Sequence, residues 1–499
     1  MDEANRMSYS RKTIVKNAGV MMASQLITWS LALLLTFFLP RYLGAEAVGK
    51  FYLASSIWAL FSIVISFGMD TLLTKEISRE PERVNELLST TLFARLLLFV
   101  ASFAGMLLFV QSAGYSSETL EVAVIMAFTT LSWQMTGAIS AALQGLERME
   151  YISLSDIAGK FVVTVVSIAA LLMGYKVVVV AWIHVCSAVV SLLIQVYGLQ
   201  QIAAFKLQIK PHQLFWMLKS SLPFVLVSGF LVVYNQIDVI IISMLLNEVQ
   251  VGLYSAASRL FGTFLFVPTV LITALFPVFS RVHKEEPGAL TGLLARSLDF
   301  SLLLGVPIGL GIFAIADPLM VLLFGAEFAQ AGPVLAVMGF VIICTYLNTV
   351  LGKYYVSTDR QNLWTWIMGM MVVLTIPLDL VLVPYFHARS GVGALGGAYS
   401  YLVTEGLMML AGLFFLPKGM LAWKDAWYAL RVLLAGAVMA GAAWLLRDQL
   451  IVLPVLAGAA VYAILLLVLG LVNQSDLKIA RTQAARLLSR ISGKKLEMV

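Results

Sequence analysis

The amino-acid sequence predicts an all-α, polytopic membrane protein of about fourteen transmembrane helices, in two pseudo-symmetric six-helix lobes plus two C-terminal helices. Three observations predict it. Of the 499 residues, 61% are hydrophobic and only 12% charged, and mean hydropathy is +0.93; a soluble domain carries about 25% charge. The apolar runs approach or exceed the roughly 20 residues that cross a bilayer as a helix. Period-two alternation, the mark of an outer-membrane barrel strand, is rare. The same numbers exclude disorder, and a count of two cysteines excludes a disulfide-stapled secreted domain. Cys186 and Cys344 fall inside apolar runs and read as small buried residues.

The runs follow in order. Span one, 14–39, comes after a basic tail (Arg6, Arg11, Lys12, Lys16) and is too long for a signal-peptide core, so it reads as a retained anchor. Span two is 47–69, closing on Gly68 and Asp70; span three is 89–110 and span four 120–143. Spans five (154–174) and six (177–197) are parted only by Gly174-Tyr175-Lys176. A linker carrying Lys206, Lys210, Pro211 and Lys219 leads to span seven, 221–246, and then span eight, 250–279. Pro223, Pro268 and Pro277 permit these two helices to bend. Spans nine to twelve are 298–316, 332–356, 362–383 and 394–416. Spans thirteen (427–446) and fourteen (450–471) are parted by Arg447-Asp448-Gln449. In the tail, Leu477, Ala480, Ala484, Leu487, Leu488 and Ile491 share a helical face ringed by Lys and Arg, an amphipathic helix suited to an anionic leaflet.

Orientation follows Lys and Arg rather than net charge. Of the 33, 23 lie in segments on the side of both termini, and five lie in the opposite turns: Arg41, Lys50, Lys176, Arg389 and Arg447. Both termini are therefore placed in the cytoplasm, with the chain multi-pass in the plasma (inner) membrane. This bias accounts for the net charge of +6 and the pI near 9.1 without a nucleic-acid partner.

The predicted organisation is an N-terminal lobe (1–205), a C-terminal lobe (206–417), two additional helices (418–472) and a cytoplasmic amphipathic basic tail (473–499). The lobes echo each other weakly. Ala47-Val48-Gly49-Lys50-Phe51 opens span two as Gln250-Val251-Gly252-Leu253-Tyr254 opens span eight, and both spans end near a Ser-Arg pair (Ser78-Arg79, Ser280-Arg281). Shared orientation makes this a parallel repeat about the membrane normal, the plan of an alternating-access transporter. Chance similarity between apolar helices is the competing reading.

Catalytic signatures are missing. The four histidines belong to no metal motif, and neither a phosphate-binding GxxxxGK[ST] loop nor a GxSxG elbow occurs. The expectation is a non-enzyme without metal or cofactor, driven by an H+ or Na+ gradient. Charges inside spans are costly, so each is a functional candidate. Arg259 lies about nine residues into span eight and Asp238 at similar depth in span seven. They form either a structural ion pair or a substrate site in which the guanidinium grips a phosphate. Glu405, a lone carboxylate mid-span, is the ion-coupling candidate. Gln25, Ser55 and Ser62 are further candidates for a polar cavity, with helix packing as the plain alternative. Asp70 and Pro268 are gate candidates. Asp379 reads as interfacial, Lys160 as paired with Asp156, and Arg95, Lys353 and Arg431 as snorkelling toward the cytoplasmic ends.

Four stretches carry a resemblance. They are Phe38-Leu39-Pro40-Arg41-Tyr42-Leu43-Gly44 with Val48-Gly49; Tyr234-Asn235-Gln236-Ile237-Asp238 leading to Val251-Gly252-Leu253-Tyr254; Leu323-Phe324-Gly325-Ala326-Glu327-Phe328; and Gly393-Ala394-Leu395-Gly396-Gly397 closing on Thr404-Glu405. In order and spacing the chain resembles the polysaccharide (oligosaccharide-lipid) flippases of the multidrug/oligosaccharidyl-lipid/polysaccharide (MOP) exporter superfamily. The resemblance implies a cavity that opens alternately to each side, with spans one, two, seven and eight as gates. It also implies a lipid-linked oligosaccharide, on a polyprenyl-pyrophosphate carrier, as substrate in cell-surface polysaccharide biosynthesis. A monomer in the lipid bilayer is expected, with glycan polymerase or export machinery as partners. The alternatives are a multidrug or organic-cation antiporter of the same superfamily, a lipid II flippase and an intramembrane glycan polymerase. Span one lacks the cavity arginines of the lipid II branch, and the short outer loops disfavour a polymerase.

Overall fold

The computed structural model describes residues 3–203 and 206–471. It is all helical, with no strand among the described residues. The helices are α1 (Glu3–Ser66), α2 (Met69–Arg79), α3 (Val84–Ser112), α4 (Ser117–Gly145), α5 (Met149–Leu172), α6 (Val177–Ala203), α7 (Pro211–Leu245) and α8 (Glu248–Phe264). They continue as α9 (Phe266–Glu285), α10 (Leu290–Phe324), α11 (Gly332–Ser357), α12 (Gln361–Ser390), α13 (Ala394–Phe414), α14 (Trp423–Leu445) and α15 (Val452–Val468).

Each predicted span falls largely on helix, but the helices are not fourteen separate rods. Among the described residues ten are long and apolar enough to cross a membrane, and Val452–Val468 is apolar but shorter. Spans one and two share α1, joined at one residue: Gly44 has φ 79° and ψ 169°, a backbone open essentially to glycine alone. Span eight is broken at Leu265 into α8 and α9. The parting of spans five and six and that of thirteen and fourteen fall where expected. The amphipathic tail, 473–499, lies outside the described residues.

By contacts the described residues form two compact units. The first takes Met1–Thr263, Met320–Leu335 and Asn362–Met408. Here α5 packs on α1 and α6, and α4 on α6, α1 and α2. Small residues let the backbones approach, as in other membrane helix pairs. Ser187 Oγ donates to Gly159 O at 2.7 Å and Ser191 Oγ to Ser155 O at 3.0 Å, stitching α6 to α5. Trp58 is fully buried and donates its ring N–H to Ala123 O at 2.7 Å, so the large ring leaves no polar atom unpaired.

The Gly44 joint is held from a distance. Ala45 N–H, freed by the break, donates to Glu327 Oε1 at 2.8 Å, and Arg41 Nη1 donates to Leu322 O at 2.8 Å. The first and third stretches that carry the resemblance therefore meet here. Nearby, α1 and α8 cross reciprocally. A Cβ on Gly49 would collide with the Glu248 carbonyl, and a Cβ on Gly252 with the Ala45 carbonyl.

The second unit comprises the described residues of Phe264–Leu319, Ala336–Gln361 and Met409–Val499. Here α10 and α11 cross at Gly309 and Gly339, where each glycine sits against the other's carbonyl. Two prolines leave helix carbonyls without an N–H, and tyrosines take both. Pro268 frees Phe264 O, which accepts from Tyr346 Oη at 2.7 Å. Pro307 frees Leu303 O, which accepts from Tyr462 Oη at 3.1 Å.

Candidate functional site

The intramembrane charges sort into two groups. The first is cationic. Arg259, about 16 Å along α8 at 1.5 Å per residue, is exposed, and its guanidinium carbon lies 4.6 Å from the centre of the Tyr52 ring on α1. Such cation–π contacts hold a cation without neutralising it. Lys160 on α5 and His184 on α6 lie within electrostatic range of Arg259, and His184 packs 4.9 Å from the Phe51 ring. Four helices thus bring a guanidinium, an amine and an imidazole together. Neither Arg259 nor Lys160 enters a salt bridge among the described residues.

The second group is acidic and buried. Asp238 on α7 is 6% exposed and accepts a hydrogen bond from Tyr254 Oη; Asp379 on α12 is 0% exposed and faces both Asp238 and Ser400. Two carboxyl groups facing each other away from water repel when both are charged, which a proton or a small cation relieves. Glu405, 4% exposed on α13, accepts from Tyr234 Oη at 3.0 Å, and Thr404 lies on the same hydroxyl at 3.3 Å. Tyr401 packs edge-on to Tyr234 and to Phe261, separating this group from water with aromatic surface.

Several expectations change. Asp238 and Arg259 are not an ion pair: the aspartate turns to Tyr254 and Asp379, the arginine to Tyr52. Asp379 is not interfacial. α12 runs through Pro384 to Ser390, so the carboxylate sits about 16 Å inside the helix end. Lys160 does not pair with Asp156; its neighbourhood is set by the packing of α5 against α6 and α1. Glu405 is not lone. Arg95 does not snorkel: it is fully buried, bonded to Asp70 Oδ1 at 2.6 Å and to the Gln134 carbonyl. Asp70 is the other end of that pair.

The remaining candidates are simpler. Ser55 and Ser62 are half-buried and donate to carbonyls of their own helix, Phe51 O and Ala59 O. Gln25 is exposed. Ser56 ties α1 to α7 through Gln236 Oε1 at 2.7 Å. Pro268 lies beside the break between α8 and α9. Lys353 lies over Phe276, and Arg431 caps Leu469 O.

A family model described as polysaccharide biosynthesis protein matches residues 14–283. The chain is 24% identical over 370 residues to the probable low-salt glycan biosynthesis flippase Agl15 of Haloferax volcanii, covering 70% of this chain and 74% of that one. It is 23% identical over 385 residues to the putative O-antigen transporter of Shigella dysenteriae, covering 74% of this chain and 91% of the relative. Among solved structures, the lipid II flippase MurJ in an inward closed conformation superposes with TM-score 0.71 at 15% identity, over 90% of this chain and 98% of MurJ. A MATE-family multidrug transporter of the MOP superfamily gives 0.64 at 15% identity, over 83% and 95%. The folds agree, and with over half its length matched by the family model, the chain belongs to the polysaccharide biosynthesis protein family.

Proposed function

We propose that this chain flips a lipid-linked oligosaccharide, a glycan on a polyprenyl-pyrophosphate carrier, across the plasma membrane by alternating access for surface polysaccharide assembly. The observation that carries the reading is the group of Arg259 and Lys160 beside the His184 imidazole, in which neither basic side chain enters a salt bridge among the described residues. A pyrophosphate needs such a surplus of positive charge, and guanidinium binds its oxygens in a fork. An organic-cation antiporter would need carboxylates there, and the acids cluster elsewhere. The curated relatives with flippase and transporter names support the same substrate class.

The Asp238–Asp379 pair is the coupling site in this reading, exchanging H+ or Na+ as the transporter cycles, with Glu405 and Tyr234 beside it. Asp70, at the start of α2, latches onto Arg95 inside α3, and Pro268 marks a bend in span eight. The chain works as a non-enzymatic monomer with lobes 1–205 and 206–417, both termini cytoplasmic, and hands its glycan to polymerase or export machinery. The test uses a deletion strain complemented with variants. The parent restores surface glycan and clears lipid-linked glycan from the cytoplasmic leaflet. Arg259→Ala reaches the membrane folded but restores less than a tenth of export. Full export by that variant returns Arg259 to a packing role. A deletion strain with normal surface glycan overturns the flippase reading altogether.

A further inference from the structure

The Gly44 joint and the α7–α8 turn are each gripped by a turn from the other half of the chain. Glu327 and the Leu322 carbonyl, around the turn after α10, hold Ala45 and Arg41. Thr119 and Tyr115, around the turn after α3, reach Glu248 Oε1 at 3.2 Å and Ser243 Oγ at 2.7 Å. Between them lies the reciprocal crossing of Gly49 and Gly252, with backbones in direct contact. Lys50 closes the same face, 7% exposed and bonded to Glu118 at 2.7 Å and Glu46 at 2.6 Å.

The two grips differ in one respect. At the start of α8 the cap is local: Asn247 Oδ1 accepts from Gln250 N at 3.1 Å. At the Gly44 joint the cap is Glu327, a residue 282 positions away. A helix N-terminus exposes N–H groups that need an acceptor, and a carboxylate there is favoured by both hydrogen bond and helix dipole. The second half of α1 therefore keeps its first N–H satisfied only while the turn after α10 stays against it. A carbonyl-to-glycine crossing tolerates little displacement, so whatever fixes the position of Ala45 also fixes the contact of its carbonyl with Gly252.

We propose that Glu327 is the positioning residue of the outer gate, holding the Gly49–Gly252 crossing shut by capping the Ala45 N–H. The word "outer" rests on the transporter reading and its orientation; the contact itself does not. Opening this face has to break the Glu327 bond, whereas Asn247 travels with its own helix. Losing a charge-assisted bond shifts a two-state equilibrium about ten-fold or more.

The test labels a cysteine from outside intact cells with a charged, membrane-impermeant methanethiosulfonate. The full chain carries Cys186→Ser, Cys344→Ser and the reporter Ser55→Cys, below Gly49 on α1. Glu327→Ala is expected to speed labelling about ten-fold, and Glu327→Gln, which keeps an acceptor, to stay near the parent rate. Parental labelling of a folded Glu327→Ala protein overturns the proposal, and equal acceleration by Gln and Ala overturns capping as its cause. If Glu327→Ala does not fold, Arg41→Ala is read the same way, and an unchanged rate overturns the proposal. Labelling requires no glycan. A parent that fails to export glycan therefore sinks the flippase reading while leaving the gate measurable.

Discussion

Arg259 over Tyr52 and Asp238 facing Asp379 divide the chemistry at the level of single residues: one is a cation with no salt bridge among the described residues, the other a buried pair of carboxyl groups. Asp379→Asn tests the second. It leaves one carboxylate that no longer needs a shared proton or cation. The variant is expected to fold, with a melting temperature at or above that of the parent, and to lose the part of glycan export that an uncoupler or sodium removal abolishes. Export that still responds fully to the gradient would remove the pair from coupling. Arg259 was legible because a cation so far into a span has no end to reach. Lys160 and His184 were not, because which face of α5 or α6 turns toward α8 is decided by packing, here by the Gly159–Ser187 approach. Asp379 was misplaced for a different reason. The apolar run ends at Val383, yet the helix continues past Pro384; prolines are tolerated in membrane helices when freed carbonyls find other partners.

The elements are shaped where glycine and proline remove something from the helix. Gly252 lacks a Cβ against the Ala45 carbonyl, so Gly252→Ala forces α1 and α8 apart. Overpacking of this kind costs about 1–3 kcal/mol, and the melting temperature in detergent is expected to fall, as it is for Gly49→Ala. Because the two glycines share one crossing, the double variant should cost less than the sum of the singles; strict additivity would mean independent contacts. Proline leaves the converse signature. Tyr346→Phe strands the Phe264 carbonyl and is expected to cost about 1 kcal/mol, a loss that Tyr385→Phe, on an exposed ring, should not reproduce. Neither tyrosine cap could be read in advance. The sequence names the proline but not the helix that will supply its hydroxyl.

For the whole molecule, hydropathy and the order of the motifs were enough to give the all-helical membrane class and the family. They could not give the number of separate helices, because the turn between the first two spans shrinks to one glycine and a later span breaks in the middle. Orientation is the property that the distribution of Lys and Arg addresses directly. In the cysteine-free background, Lys176→Cys is expected to react with the impermeant reagent on intact cells, and Arg360→Cys only after permeabilisation. The opposite pattern would invert the molecule and turn the proposed outer gate into an inner one. Trp423, 84% exposed at the start of α14 beside Lys424, fits a headgroup-level anchor at a membrane surface.

The reciprocal crossing is the contact that duplication of a half-length chain would leave. Gly49 meets the carbonyl four residues before Gly252, and Gly252 meets the carbonyl four residues before Gly49. A contact in which each side presents the same patch to the other is the kind a two-fold dimer makes. A half-length ancestor would have needed only one such patch to assemble with a second copy of itself. Fusion of the two copies would then have freed each to diverge, leaving a local asparagine cap at one joint and a borrowed glutamate at the other.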